Sequence, residues 1–389
     1  MTRRKKLLLA LAAVAGSLVV ADVLLSLTVL REGIFLGRPL PPFGAVTHPK
    51  QLEQNGGSGI GSFDPELGWT WIPSTASADG LARINALGAR GPNEYGTTVA
   101  AGKRRILFFG DSFTFCDEVP DDAAFEWIIE KLDPRYEALN FGVSGYGTDQ
   151  ALLRYRQVGK GLGADVVVIG YLLENIGRNV NRYRPLWYPS SGFSNTKPRF
   201  VLDEAGVLEL LPQPYATREE LRAAILEGSV IEAIAGHEYW LGRPHVPTGR
   251  LSSFVRIGAG YLAYKARSPA RLLSDPEGEP FRVTVALLER FQREALEDGA
   301  RFAPILVFAT KEDLRDHANG REPYWTEFLA ELERRGLAVI DVIDPLTERG
   351  RELAAEKSGA SLFYGGHLSK VGNAVVAKEI LAWLGTRLE

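Results

Sequence analysis

At 389 residues, with 45% hydrophobic and 24% charged side chains, the chain is long enough to bury one large core or two modest ones. A formal net charge of −3 provides no global basic field and argues against a nucleic-acid partner. The single cysteine, Cys116, excludes an internal disulfide framework and any cysteine-based zinc site. His48, His237, His245 and His317 are scattered without metal-ligand spacing, so no metal is expected, and no motif calls for a cofactor.

The chain opens with Arg3, Arg4, Lys5 and Lys6, followed over 7–30 by apolar sequence whose single charge is Asp22. Those 24 residues, at about 1.5 Å each, are long enough to cross a hydrocarbon core of roughly 30 Å. Residues 1–31 therefore read as a basic cytoplasmic tip and a transmembrane signal-anchor. The basic flank keeps the N-terminus cytoplasmic and places the remainder in the periplasm or outside the cell. The rival reading is a cleaved signal peptide cut after Val19-Val20-Ala21. Apolar sequence continues well beyond that cut and favours the uncleaved single-pass anchor. Asp22 falls in the far half of the span or pairs with another helix.

Residues 32–62 are rich in Pro and Gly and read as a linker. Residues 63–100 carry turn signals and short apolar pieces, an irregular lead-in that packs on the main domain with Trp69 and Trp71 as buried anchors. From Arg104 the pattern alternates. Strands are expected at RRILFFG, YEALNFG, ADVVVIGY, RFAPILVFAT and GLAVIDVI. Helices are expected at AAFEWIIEKL, with Phe125, Ile128, Ile129 and Leu132 on one face, from about Thr148, at PYWTEFLAELERRG and at LSKVGNAVVAKEILAWL. This alternation implies an α/β fold, a three-layer parallel sheet with helices on both faces. A large insertion over about 182–299 interrupts it, with a β-hairpin turned at Asp203–Gly206 and two or three helices.

Polar clusters fall where the strands end. The first is Gly110-Asp111-Ser112. The second runs Asn140-Phe141-Gly142-Val143-Ser144-Gly145-Tyr146-Gly147. The third is Leu173-Glu174-Asn175-Ile176, and a fourth, Phe363 to Ser369, introduces the last helix. Parallel strands carry their carboxyl ends to one rim of the sheet, so all four can converge there. A serine, a histidine, N–H groups beside glycines and a side-chain amide are the parts of an acyl-transfer site. Asp111 reads as a turn or cap residue. Cys116 reads as a small packing residue on the helix after Ser112. The stretch Asn179, Asn181, Arg182, Arg184 reads as a solvated loop, with a cleft wall gripping a sugar or carboxylate as the sharper alternative.

This set of blocks resembles the SGNH/GDSL hydrolase superfamily over about 104–180 and 300–385, in a membrane-anchored bacterial form. The resemblance implies a flavodoxin-like hydrolase core within a domain over 63–389. It implies Ser112 as nucleophile, His367 as base, and an oxyanion hole made by Ser112, Gly145 and Asn175. Two positions depart from the family pattern. The third block is usually Gly-x-Asn-Asp, and a strict alignment places Glu174 where the amide belongs. The Asp of Asp-x-x-His falls on Tyr364, so the orienting acid must come from elsewhere, with Asp341 and Asp344 as candidates, or be dispensed with. The implied activity is hydrolysis of an ester in an acylated cell-envelope glycan, a lipid or a small ester. The alternatives are an O-acyltransferase using the same Ser-His site and a catalytically decayed glycan-binding or assembly protein.

Overall fold

The computed structural model describes residues 2–27, 34–35, 38–39, 59–187, 194–241, 252–356 and 359–388. Most of the linker expected over 32–62 lies outside them. Helix α1 (Arg3–Leu27) is apolar from Leu7 onward except for Asp22, and none of its residues is buried in the protein. By length and composition it can cross a membrane.

The core begins with β1 (Arg104–Phe109), the one-turn helix α2 (Ser112–Phe115) and α3 (Phe125–Leu132). It continues with β2 (Tyr136–Asn140), α4 (Thr148–Arg154), β3 (Val166–Leu172) and α5 (Asn175–Arg178). The insertion contributes α6 (Ser253–Ala266) and α7 (Glu279–Glu297). The chain then returns through β4 (Ile305–Phe308), α8 (Thr326–Arg334), β5 (Val339–Asp341), α9 (Ile343–Glu356) and α10 (Lys370–Leu388). All five strands are parallel, in the order β2-β1-β3-β4-β5 reversed from edge to edge as β5-β4-β3-β1-β2. This is the doubly wound flavodoxin-like order, whose switch point lies between β1 and β3.

Why these segments sit where they do follows from their burial. Every residue of β3 (VVVIGYL) is buried, as a strand covered on both faces requires. Phe109 of β1 stacks on Phe141 with centroids 5.0 Å apart and packs edge-on against Tyr155. Gly110 has no room for a side chain: a Cβ there would stand 2.1 Å from Thr114 Oγ1 and 2.8 Å from the Gly170 carbonyl. That close approach lets β1 and β3 run side by side into the turn before Ser112. In α3, Phe125 and Ile129 are buried as the periodicity predicts, whereas Leu132 is exposed because it lies in the last turn.

The lead-in packs on this core, as read from the sequence. Gly61–Asp64 and Gly68–Trp71 form an antiparallel hairpin. Ile60, Leu67, Trp69 and Trp71 make a small second core with Phe115, Val143 and Tyr146. The expected hairpin of the insertion is present, Arg199–Leu202 against Leu208–Leu211. One helix and one strand differ from expectation. Ser112 opens a helix of one turn, and Cys116 is its left-handed C-cap rather than a helical residue, though it is buried. At the other end of the core, β5 stops at Asp341, whose carboxylate accepts the Ile343 N–H at 2.8 Å and starts α9.

Candidate active site

At the carboxyl end of the sheet, beside the β1/β3 switch point, lies a cavity of about 770 Å³ whose lining includes Ser112, Gly145, Glu174 and His367. Ser112 is placed by the turn out of β1. Asp111 caps α2, its Oδ1 accepting the Phe113 N–H at 2.9 Å, and its Oδ2 meets Arg178 Nη1 at 3.1 Å. Asp111 is thus a cap, as its position suggests. Asn140, at the end of β2, ties the next loop to the same helix: its amide donates to the Thr114 carbonyl at 2.8 Å and its Oδ1 accepts the Gly142 N–H at 2.9 Å. Two indoles hold that loop from the lead-in side, Trp69 donating to the Ser144 carbonyl and Trp71 to the Gly142 carbonyl, each at 3.0 Å. Both tryptophans are anchors, and both also wall the cavity.

Among the residues lining this space, Ser112 and Gly145 have backbone N–H groups with no acceptor among the described residues. For Ser112 this is the ordinary state of a first helical residue. Asn175 does not join them. It is the first residue of α5, 1% exposed and outside the cavity lining, because the chain after β3 turns through residues 173–174 before the helix starts. The side chain that reaches the cavity at this corner is Glu174, and Arg178 Nη2 pairs with it at 3.1 Å.

His367 sits in a short antiparallel hairpin, Phe363–Tyr364 against His367–Leu368, with its ring 5.2 Å from that of Phe113. Tyr364, in the place of the expected acid, is 67% exposed at the cavity mouth. Neither Asp341 nor Asp344 approaches the imidazole. Asp341 caps α9 as described, and Asp344 Oδ1 lies 2.7 Å from His317 Nε2. The reason is topological. β5 is the far edge strand, three strand spacings or roughly 14 Å from β1.

The carboxylates near His367 come instead from the loop after α2. Glu118 Oε2 is 3.4 Å from Nδ1, a charge contact without hydrogen-bond geometry, and Asp117 Oδ2 is 4.0 Å from Nε2. The same Glu118 oxygen accepts the backbone N–H groups of Gly366 at 2.9 Å and His367 at 3.2 Å. Asp117 accepts the Ser144 hydroxyl, Oγ to Oδ2 2.7 Å, and burial pushes its carboxyl up against the opposing effects of His367 and Ser144. The loop holds an unfavourable backbone to achieve this: Cys116 has φ 62° and Glu118 φ 69°, the left-handed region that ordinary residues rarely enter. Such conformations cluster where function over-determines the chain. Gly365 makes the matching concession, with φ 61° and no space for a Cβ, which would lie 2.4 Å from Glu118 Oε2. No sequence pattern singled out Asp117 or Glu118.

The polar stretch after β3 is neither solvated nor wholly a cleft wall. Asn179, Asn181, Arg182 and Arg184 are all buried. Asn179 accepts the Thr148 N–H at 2.7 Å, Asn181 donates to the Tyr183 carbonyl at 2.8 Å, and Arg182 donates to the Pro212 carbonyl at 2.6 Å. Arg184 alone lines the cavity, donating to the Gly145 carbonyl at 2.9 Å. Among the described residues no group of three or more metal-ligating side chains exists.

The sheet order and the strand-end position of the blocks set the fold type. In fold, the chain is similar to the SGNH/GDSL hydrolases. No family model matches the sequence, and no curated protein matches it. Solved structures that match include an acetyl xylan esterase, AlAXEase, at 12% identity, covering 72% of this chain and 99% of that one with a TM-score of 0.36. A lipase/acylhydrolase from Enterococcus faecalis matches at 14% identity, covering 73% and 96%, TM-score 0.34. A member of the lipolytic G-D-S-L family from Veillonella parvula matches at 11%, covering 73% and 99%, TM-score 0.32. The similarity is one of fold, and the chemistry rests on the residues above.

Proposed function

We propose that the chain is a membrane-anchored serine ester hydrolase of the SGNH/GDSL type. The observation that carries this reading is the convergence of Ser112, His367 and two unengaged N–H groups on one cavity. In the proposed reaction the Ser112 hydroxyl attacks the ester carbonyl while His367 takes its proton. The Ser112 and Gly145 N–H groups receive the developing oxyanion. His367 then protonates the departing alkoxide, and water, deprotonated by the same imidazole, releases the acid. Glu118 is the orienting carboxylate, in place of an acid within the Asp-x-x-His block. The arrangement accommodates Tyr364 because that residue is spared any role at the ring.

The apolar length of α1 and the basic residues Arg3 to Lys6 at its start support a reading in which the N-terminus stays cytoplasmic and the cavity works outside the cytoplasm, near a membrane. Esters held at that surface, an acylated envelope glycan or a lipid, are the substrates this location favours. The test uses the full chain in detergent with short-chain aryl esters. Wild type should turn over and Ser112→Ala should lose at least ~10³-fold, the scale of losing the nucleophile. A wild type no faster than Ser112→Ala would overturn the reading in favour of a binding or assembly protein. Release of product only when a sugar hydroxyl is added would identify acyl transfer.

A further inference from the structure

The apolar run of α1 carries one acid, Asp22, and the fold supplies its partner. Helix α6, from the insertion, begins against it: the Phe254 N–H donates to the Asp22 carboxylate at 3.3 Å, and the Ser253 hydroxyl donates to the Asp22 carbonyl at 3.0 Å. The first N–H groups of a helix have no partners of their own and carry partial positive charge, so a carboxylate there is well satisfied. Asp22 lies five residues before Leu27, about 7 Å along the axis, so α6 starts close to one end of the span.

The outward face of α6 is apolar. Phe254, Val255, Tyr261 and Leu262 are 45–64% exposed and recur at i, i+1, i+7 and i+8, which is a single stripe on a helix. Lys265 continues the stripe with its ammonium 5.2 Å from the Tyr261 ring centroid, an amphipathic pairing suited to a headgroup boundary. This stripe belongs to a helix already joined to the span, so the solvent at hand for it is lipid.

We propose that α6 is an interfacial helix. Its apolar face lies in the bilayer that α1 crosses, at the acyl–headgroup boundary, and it clamps the domain to the membrane surface in place of a free tether. The proposal rests on α1 being an uncleaved anchor, and its test separates the two.

The full chain is reconstituted in phosphatidylcholine–phosphatidylglycerol vesicles with a nitrobenzoxadiazole label at one of three introduced cysteines. Leu11→Cys reports the span, Leu262→Cys reports α6, and Val207→Cys, at the exposed hairpin turn, reports water. All three sites are exposed, so folding is not at stake, and the native Cys116 is buried. Spin-labelled lipids quench at a shallow or a deep acyl position. The label at 262 should lose about half of its emission to the shallow quencher, matching the depth of roughly 5–10 Å at which interfacial helices lie. The label at 11, about 6 Å inside the start of the apolar run, should respond to both quenchers and the label at 207 to neither. Quenching at 11 with none at 262 beyond that at 207 overturns the inference and leaves the anchor standing. No quenching at either overturns both. Protection of the label at 262 without lipid quenching, as pairing with a second copy would produce, also overturns it.

Discussion

Glu118→Gln isolates the charge of the proposed orienting acid from everything else that residue does. The glutamine keeps a carbonyl oxygen for the Gly366 and His367 N–H groups, now accepted at 2.9 and 3.2 Å, so stability should change by less than about 1 kcal/mol. What is lost is the attraction between the carboxylate and an imidazolium whose Nδ1 is 3.4 Å away. Coulomb's law at that separation gives about 1.2 kcal/mol in water and about 5 kcal/mol at an effective dielectric of 20. The Glu118 side chain is 39% exposed and that of His367 20%, so screening pulls the value to about 2 kcal/mol, or ~30-fold in kcat. The assay is steady-state hydrolysis of an aryl ester alongside a thermal melt, with Asp117→Asn in parallel. A melt unchanged and a rate reduced about 30-fold in Glu118→Gln is the expected result. Wild-type turnover in Glu118→Gln together with a collapse in Asp117→Asn would refute the assignment and move the role to Asp117. Wild-type turnover in both would refute carboxylate assistance altogether.

Glu126 gives a pH signature of folding. It is buried beside Cys116, and burial pushes its carboxyl up to about 8. Its neutral form is the one the fold favours, so its contribution is fully present below the ordinary value of 4.5 and is lost as pH rises through about 8. The unfolding free energy from urea titrations should therefore fall by about 4 kcal/mol between pH 5 and pH 8.5 for wild type, and Glu126→Gln should flatten that slope; identical slopes would refute it. Gly365→Ala forces a side chain into a left-handed residue and against Glu118, and should cost about 1–3 kcal/mol in a melt while lowering kcat. Glu174→Asn removes a carboxylate from the oxyanion corner and supplies an amide, so kcat should rise, by ~10-fold if the amide reaches the oxyanion; a fall would show that Glu174 serves the reaction through Arg178.

The periodicity and the strand-end blocks were enough to specify the architecture. Continuous apolar runs such as VVVIGYL can be satisfied only inside a covered parallel sheet, and parallel strands send every following loop to one rim. The resemblance of the blocks pointed to Ser112, Gly145 and His367, and the structure brings these three residues to one cavity. The register of side chains at the third block could not, since one residue of turn geometry decides whether Glu174 or Asn175 meets the cavity. The carboxylates that approach His367 were illegible for a stronger reason. Asp341 and Asp344 look near because they precede His367 in the chain, yet sheet order sends β5, which ends at Asp341 just before the helix that carries Asp344, to the far edge. Glu118, 249 residues from His367, reaches it through a left-handed backbone that nothing in Cys-Asp-Glu announces. Local pattern determined which elements form and which way their ends point. Only the packed structure decided which loops touch, because loop-to-loop contacts depend on strand order and on strained dihedrals that short-range sequence preferences do not encode.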